Sequence, residues 1–158
     1  MKTLILLRHA KSEDPSLLKK DFNRNLKERG INDIHSVANA FLHFDLYPSL
    51  VLCSSANRTR ETITEFQKAI NSKYNVNYLD DLYHASASNI LEIIQDNESK
   101  ADVIMVLGHN FGISELAFYL GEDACNELPT SGMVIFQFPN HIKAGEGKCL
   151  HYITPKTI

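Results

Sequence analysis

Thr3-Leu4-Ile5-Leu6-Leu7-Arg8-His9-Ala10-Lys11-Ser12 decides how this chain is read. Four apolar residues without polar alternation after Thr3 suit a strand buried on both faces, and Arg8 marks where that burial ends. Working outward, Leu50 to Cys53 and Val103 to Leu107 repeat the pattern, with Gly108 ending the last, and residues 76–79 give a further short strand. Between them lie stretches of helical period: Ile31, Ile34, Ala38, Phe41 and Leu42 up to Pro48; residues 57–70 with Ile63, Phe66 and Ile70; Ile90, Leu91, Ile93 and Ile94, begun near Ser86 or Ser88. Asn25 followed by Glu28 has the spacing of a capping pair for the first helix, and residues 8–25 read as a polar loop. Residues 111–120 predict a fourth helix closed by Gly121, and Val134 to Phe138 and Cys149 to Ile153 predict late strands. Short buried strands alternating with helices predict an α/β fold, a three-layer α/β/α sandwich around a mostly parallel sheet of about six strands. No linker or repeat divides the chain, so residues 1–158 are expected to form one domain.

Composition narrows the function classes. The 158 residues are 44% apolar and 22% charged, which excludes a disordered, collagen-like or disulfide-scaffold chain. Leu4 to Leu7 is too short for a secretory or membrane-spanning segment, and Cys53, Cys125 and Cys149 form no CxxC; a reduced, cytoplasmic protein is the expectation. Net charge is −3, but residues 1–30 carry eight Lys/Arg against four Asp/Glu, and the remainder eight against fifteen. That pattern lacks the broad basic excess of a nucleic-acid binder and could draw a small anion to the N-terminal region.

In sheets of this kind, reactive loops lie beyond the carboxyl ends of the strands. Three such loops carry chemistry here. The first opens Arg8-His9: a histidine anchored by rigid backbone is a competent nucleophile toward phosphorus, and an arginine offers a planar fork for phosphate. The second, Ser54-Ser55-Ala56-Asn57-Arg58-Thr59-Arg60-Glu61-Thr62, turns into a helix whose first N–H groups favour an anion. Arg58 lies in that first turn, whereas Arg60 is offset by about 200° and should point elsewhere. The third is Gly108-His109-Asn110, where Gly108 would permit close backbone approach. Taken singly, each loop also suits an ordinary reading: a hydrogen-bonded histidine, an exposed helix start, a structural histidine. Together they set two histidines and two arginines at the ends of separate buried strands, a clamp for a dianion around a nucleophile.

Leu-Leu-Arg-His-Ala-Lys-Ser at 6–12, Ser-Ser-x-x-Arg-x-x-x-Thr at 54–62 and Val-Leu-Gly-His-Asn at 106–110 resemble the histidine phosphatase (phosphoglycerate-mutase-like) superfamily. The short length, Arg8-His9-Ala10-Lys11-Ser12 and Asp21-x-x-Arg24-x-Leu26-x-x-x-Gly30 look like its SixA-type phosphohistidine phosphatase branch, over residues 3–136. The resemblance implies that His9 attacks phosphorus and becomes phosphohistidine, while Arg8, Arg58 and His109 hold the phosphoryl oxygens. It further implies that Arg24 widens the anion pocket, with Ser12 and Asn110 on the substrate side. The implied substrate is a phosphohistidine-bearing protein; no cofactor, metal, nucleic acid or membrane is implied. The chain departs from the superfamily where a Glu or Asp proton donor is usual: Asp80-Asp81-Leu82-Tyr83-His84 aligns there, so His84, Asp80 and Asp81 are the candidate donors. Ala56 also stands where many members have a residue beside a proline-containing turn. A phosphoglycerate mutase would need insertions this length does not provide. A small-metabolite phosphomonoesterase and a non-catalytic phosphate-binding module stay as alternatives, the second weakened by the presence of His9.

Overall fold

The structure is a computed structural model, and it describes residues 1–121 and 127–158. Among the described residues, six strands and four α-helices follow in the order β1 (Lys2–Arg8), α1 (Glu28–Phe41), β2 (Leu50–Ser54), α2 (Asn57–Ala69), β3 (Val76–Leu79), α3 (Ala87–Asn97), β4 (Val103–Gly108), α4 (Gly112–Leu120), β5 (Met133–Phe138) and β6 (Lys148–Ile153). Among the described residues they make one sheet in the order β3-β2-β4-β1-β5-β6. The β3/β2, β2/β4 and β4/β1 pairings are parallel, while β1/β5 and β5/β6 are antiparallel. The sheet is therefore mixed, and the mostly parallel expectation holds in part: three of the five pairings are parallel, and β5 alone among the described strands reverses direction. A reversed strand buried on both faces carries the same apolar run as a parallel one.

Both faces of the sheet are covered. Ile5, Leu7, Val51, Cys53, Met105, Leu107, Met133 and Ile135 pack with Ile34, Val37, Ala38 and Phe41 of α1 and Ile63 and Phe66 of α2. The alternate residues Leu4, Leu6, Leu50, Leu52, Ile104, Val106, Val134 and Phe136 pack with Ile90 and Ile94 of α3 and Ile113, Leu116, Ala117 and Leu120 of α4. Burying each of these side chains contributes roughly 1.5–3 kcal/mol, which is why the strand runs were visible in the sequence.

Two helix-end expectations fail. The residue preceding α1 is Lys27, without a side-chain cap, and the Asn25 carboxamide instead accepts a hydrogen bond from Asn57 Nδ2 at 3.3 Å. Leu42 leaves the helical stripe: it opens a 3₁₀ turn, Leu42–Phe44, and is exposed. Ser86 does cap α3, accepting from Asn89 N at 3.2 Å. The loop after β1 is also more ordered than its polarity suggests, with a 3₁₀ turn at Asp21–Asn23 and an antiparallel bridge between Ser12 and Leu26. Gly30 explains the end of the Asp21-to-Gly30 pattern: a Cβ there would sit 2.1 Å from the Lys11 carbonyl oxygen, so only glycine lets α1 lie against this loop. Cys125 lies outside the described residues; Cys53 is a buried thiol on β2.

Candidate active site

Strand order and register bring the three loops together. β2, β4 and β1 are neighbours, and Cys53, Leu107 and Leu7 stand abreast, so the chain leaves all three strands at one level. His9, Ser54 and His109 follow within two residues of that row. His9 and His109 are 7% and 4% exposed, and their ring centroids lie 5.3 Å apart.

His9 Nδ1 lies 2.8 Å from the carbonyl oxygen of Ala10, a contact only an N–H can satisfy. The neutral ring therefore carries its proton on Nδ1 and keeps the Nε2 lone pair available. Burial, together with the positive charges of Arg58, Arg8 and Arg24, outweighs that hydrogen bond and lowers the imidazole pKa to about 3. The ring is a neutral nucleophile at any physiological pH. Its loop is pinned on two sides: Thr62 Oγ1 accepts from Ala10 N at 2.9 Å, and Ser131 N donates to the His9 carbonyl at 3.1 Å.

His109 is held by Ser54, whose Oγ is 2.8 Å from Nε2. With the hydroxyl donating to Nε2, the neutral imidazole carries its proton on Nδ1. Burial first, then the neighbouring His9 and Arg58, lowers this pKa to about 2. Arg58, 2% exposed, reaches from the first turn of α2. Arg8 donates through NH1 to the Leu128 carbonyl at 3.0 Å. Arg8 Nε, Arg58 Nε and His109 Nδ1 are buried and without a protein hydrogen-bond partner among the described residues. Three unsatisfied donors beside a neutral nucleophile are a costly arrangement for a structural core and a serviceable one for phosphoryl oxygens.

No protein-family model matches the chain. An uncharacterized protein of Mycobacterium tuberculosis is 31% identical over 155 residues, 90% of this chain and 94% of that one. An uncharacterized chloroplastic protein of Arabidopsis thaliana is 34% identical over 143 residues, 85% of this chain, and the chain spans 65% of that relative's length. A structure from Agrobacterium tumefaciens, provisionally described as the phosphohistidine phosphatase SixA, superposes with TM-score 0.83 and 26% identity over 98% of this chain and 99% of that one. The protein histidine phosphatase SixA in complex with tungstate superposes equally well, with 17% identity over 98% of each chain. The chain belongs to the histidine phosphatase superfamily, in its SixA-type branch.

Within that family frame, the remaining candidates divide. Arg24 is tied into the first loop while its charge still acts on His9: its Nε and NH2 donate to Asp21 Oδ1 at 3.0 and 2.8 Å, and NH1 donates to the Glu13 carbonyl at 2.6 Å and to Ser12 Oγ at 3.3 Å. Ser12 is buried and serves that arginine. Asn110 ties the third loop down, donating to the Leu128 carbonyl at 3.0 Å and accepting from Ser114. Asp80 accepts from Ser55, and Asp81 faces a surface groove with Asn89, Glu92 and Asp96, away from the histidines. Only His84 of the three candidate donors reaches the site, its ring 5.6 Å from that of His109. Gly108 is not crowded, since a Cβ there would meet Ile113 at an ordinary 3.6 Å; the close approach is at Gly112, where a Cβ would lie 2.0 Å from the Ala85 carbonyl oxygen. That contact holds the loop carrying His84 against the start of α4. Arg60 points elsewhere, as the helical offset predicts: it donates to the Ser55 carbonyl at 2.8 Å and lies 4.0 Å over the Tyr78 ring.

Residue-level reading missed the group at the centre of these contacts. Asp21 accepts from Arg24 on Oδ1, and on Oδ2 from Arg58 NH2 at 3.1 Å, from the Tyr83 hydroxyl and from His84 Nε2 at 3.2 Å; its carbonyl accepts from Arg58 NH1 at 2.8 Å. Partial burial opposes ionisation, but the bonds from Tyr83, Arg24 and Arg58 prevail and hold the carboxyl well below the usual carboxylate range. The quoted Asp21-to-Gly30 pattern contained this residue, but its partners lie up to 63 residues away.

Proposed function

We propose that the chain is a phosphohydrolase working through a phosphohistidine enzyme intermediate, with protein phosphohistidine as its substrate. The observation that carries the reading is the state of His9: buried, neutral, with Nδ1–H donated to Ala10 and Nε2 unencumbered among Arg8, Arg58 and His109. In the first step Nε2 attacks phosphorus in line, and the leaving group departs with the bond's electron pair. Arg8, Arg58 and His109 neutralise the equatorial oxygens in the loose transition state. Water then attacks the phosphorylated His9 and releases phosphate.

Phosphohistidine fits because, with its distal ring nitrogen protonated, it leaves as neutral imidazole, a far weaker base than an alkoxide, so the P–N bond breaks without a proton from the enzyme. The SixA designation of the structural neighbours supports the same substrate class. The arginines supply the charge neutralisation that a divalent cation supplies elsewhere, so turnover is proposed to be metal-independent, in the reduced cytoplasm. The test is acid-labile, alkali-stable labelling of the protein by a phosphohistidine peptide, followed by a substrate panel with phosphoglycerate and sugar phosphates in the presence and absence of EDTA. Labelling lost in His9→Ala and a phosphohistidine preference insensitive to EDTA are expected. Label persisting in His9→Ala, or activity restored only by a divalent ion, overturns the reading.

A further inference from the structure

We propose that the Asp21–His84 pair is a general acid for oxygen leaving groups, standing in for the carboxylic acid that other superfamily members carry after the third strand. This goes beyond the phosphohistidine reading but rests on its first step, attack by His9. Asp21 and His84 lie on the solvent side of the buried clamp, 40% and 56% exposed in their side chains. His84 Nε2 is 3.2 Å from Asp21 Oδ2, the Tyr83 ring lies tilted against the imidazole with centroids 4.0 Å apart, and His109 follows at 5.6 Å. His84 adopts φ +55°, a backbone conformation that costs a β-carbon-bearing residue about 1 kcal/mol or more and so needs support from its surroundings. The support is visible: the short bond from Tyr83 to Asp21, and the seat of Ala85 on Gly112.

A carboxylate bonded to one ring nitrogen fixes the orientation of an imidazole and stabilises its protonated form. The groups facing His84 are Asp21, the Tyr83 phenol and the neutral His109, with Arg58 on the same Asp21 oxygen. With Nε2–H spent on Asp21, the imidazolium has Nδ1–H to give. As His9 Nε2 forms its bond to phosphorus, the P–O bond breaks, its electron pair goes to the leaving oxygen, and the Nδ1 proton follows it. Neutral His84 then takes a proton from the water that attacks the phosphoenzyme, restoring both groups.

The experiment compares kcat/KM for phenyl phosphate, a poor leaving group, with that for 4-nitrophenyl phosphate, a good one, across pH 5–9. His84→Ala is expected to lower the first at least ~30-fold more than the second, within the usual range for loss of a positioned acid. Asp21→Asn, which removes the carboxylate that orients the His84 ring, is expected to widen the gap between the two substrates in the same direction. Equal losses on both substrates, a purely structural effect, overturn the proposal. So does a wild type that cleaves 4-nitrophenyl phosphate and not phenyl phosphate, or an Asp21→Asn variant that loses activity on the two substrates equally. Absence of any labelled His9 from either ester is a different failure, that of the nucleophile assignment itself.

Discussion

Arg58 and Arg60 are two residues apart, both cationic, and differ in everything that matters to an anion. Arg58 is 2% exposed with Nε unpartnered, and its other nitrogens rest on Asp21. Arg60 covers Tyr78 and bonds the Ser55 carbonyl. Removing one preorganised donor to a phosphoryl oxygen costs about 10²–10³ in rate, so Arg58→Ala and His109→Ala should each lower kcat/KM by that factor. Arg60→Ala should stay within about threefold. Steady-state kinetics on a phosphohistidine peptide decides it, and equal damage at positions 58 and 60 would mean the clamp is misassigned. Ser54 makes a finer case. Its hydroxyl fixes the His109 tautomer, so Ser54→Ala should lower kcat with little change in KM.

The loop after β1 and helix α1 meet at Gly30. On helix propensity alone Gly30→Ala would stabilise α1 by about 1 kcal/mol. The Lys11 carbonyl oxygen stands 2.1 Å from the added carbon, and backbone cannot swing aside as a side chain can. Overpacking of this kind costs about 1–3 kcal/mol, so the substitution should lower stability in urea unfolding, and lower kcat/KM as the His9 loop shifts. A more stable Gly30→Ala protein would show that α1 does not press on the loop. The same elements explain what was legible in the sequence. The central strands β1, β2, β4 and β5 could be read because burial on both faces writes an apolar run, the edge strands β3 and β6 only from short mixed stretches. His9 and His109 could be read as the polar residues that follow such runs. The direction of β5 could not, because an apolar run carries no sign of which way its neighbour points. Nor could the hub at Asp21, whose bonds to Arg58, Tyr83 and His84 span 37, 62 and 63 residues and leave no local period. The Asn25 cap failed because tertiary bonding to Asn57 outbid the local one.

Across the molecule, three basic residues of 1–30 pair with acids of the same segment, Lys19 with Glu13, Lys27 with Asp14 and Arg24 with Asp21, while Lys2 reaches Asp102 and Arg29 reaches Asp33. The buried histidines of the clamp tie folding stability to pH. His9 and His109 are held at about 3 and about 2 in the native state, chiefly by burial, against about 6.5 when unfolded. Below pH 6.5 the unfolded chain binds protons at both rings that the native chain refuses. Stability is therefore complete above that pH and falls as pH drops toward 3, by up to ~1.4 kcal/mol per pH unit for each histidine. Asp21 adds in the same direction at lower pH: its depressed carboxyl stabilises the fold above the ordinary carboxylate range and withdraws that support as it protonates. Urea unfolding at pH 7.5, 6.0 and 5.0 should show a steep loss, and the double variant His9→Gln, His109→Gln should lose less than half as much over the same interval. Parallel slopes for the two proteins would mean that both rings take up protons in the folded state. Neutral His9 would then be lost as a premise, and with it the nucleophile poised by Ala10.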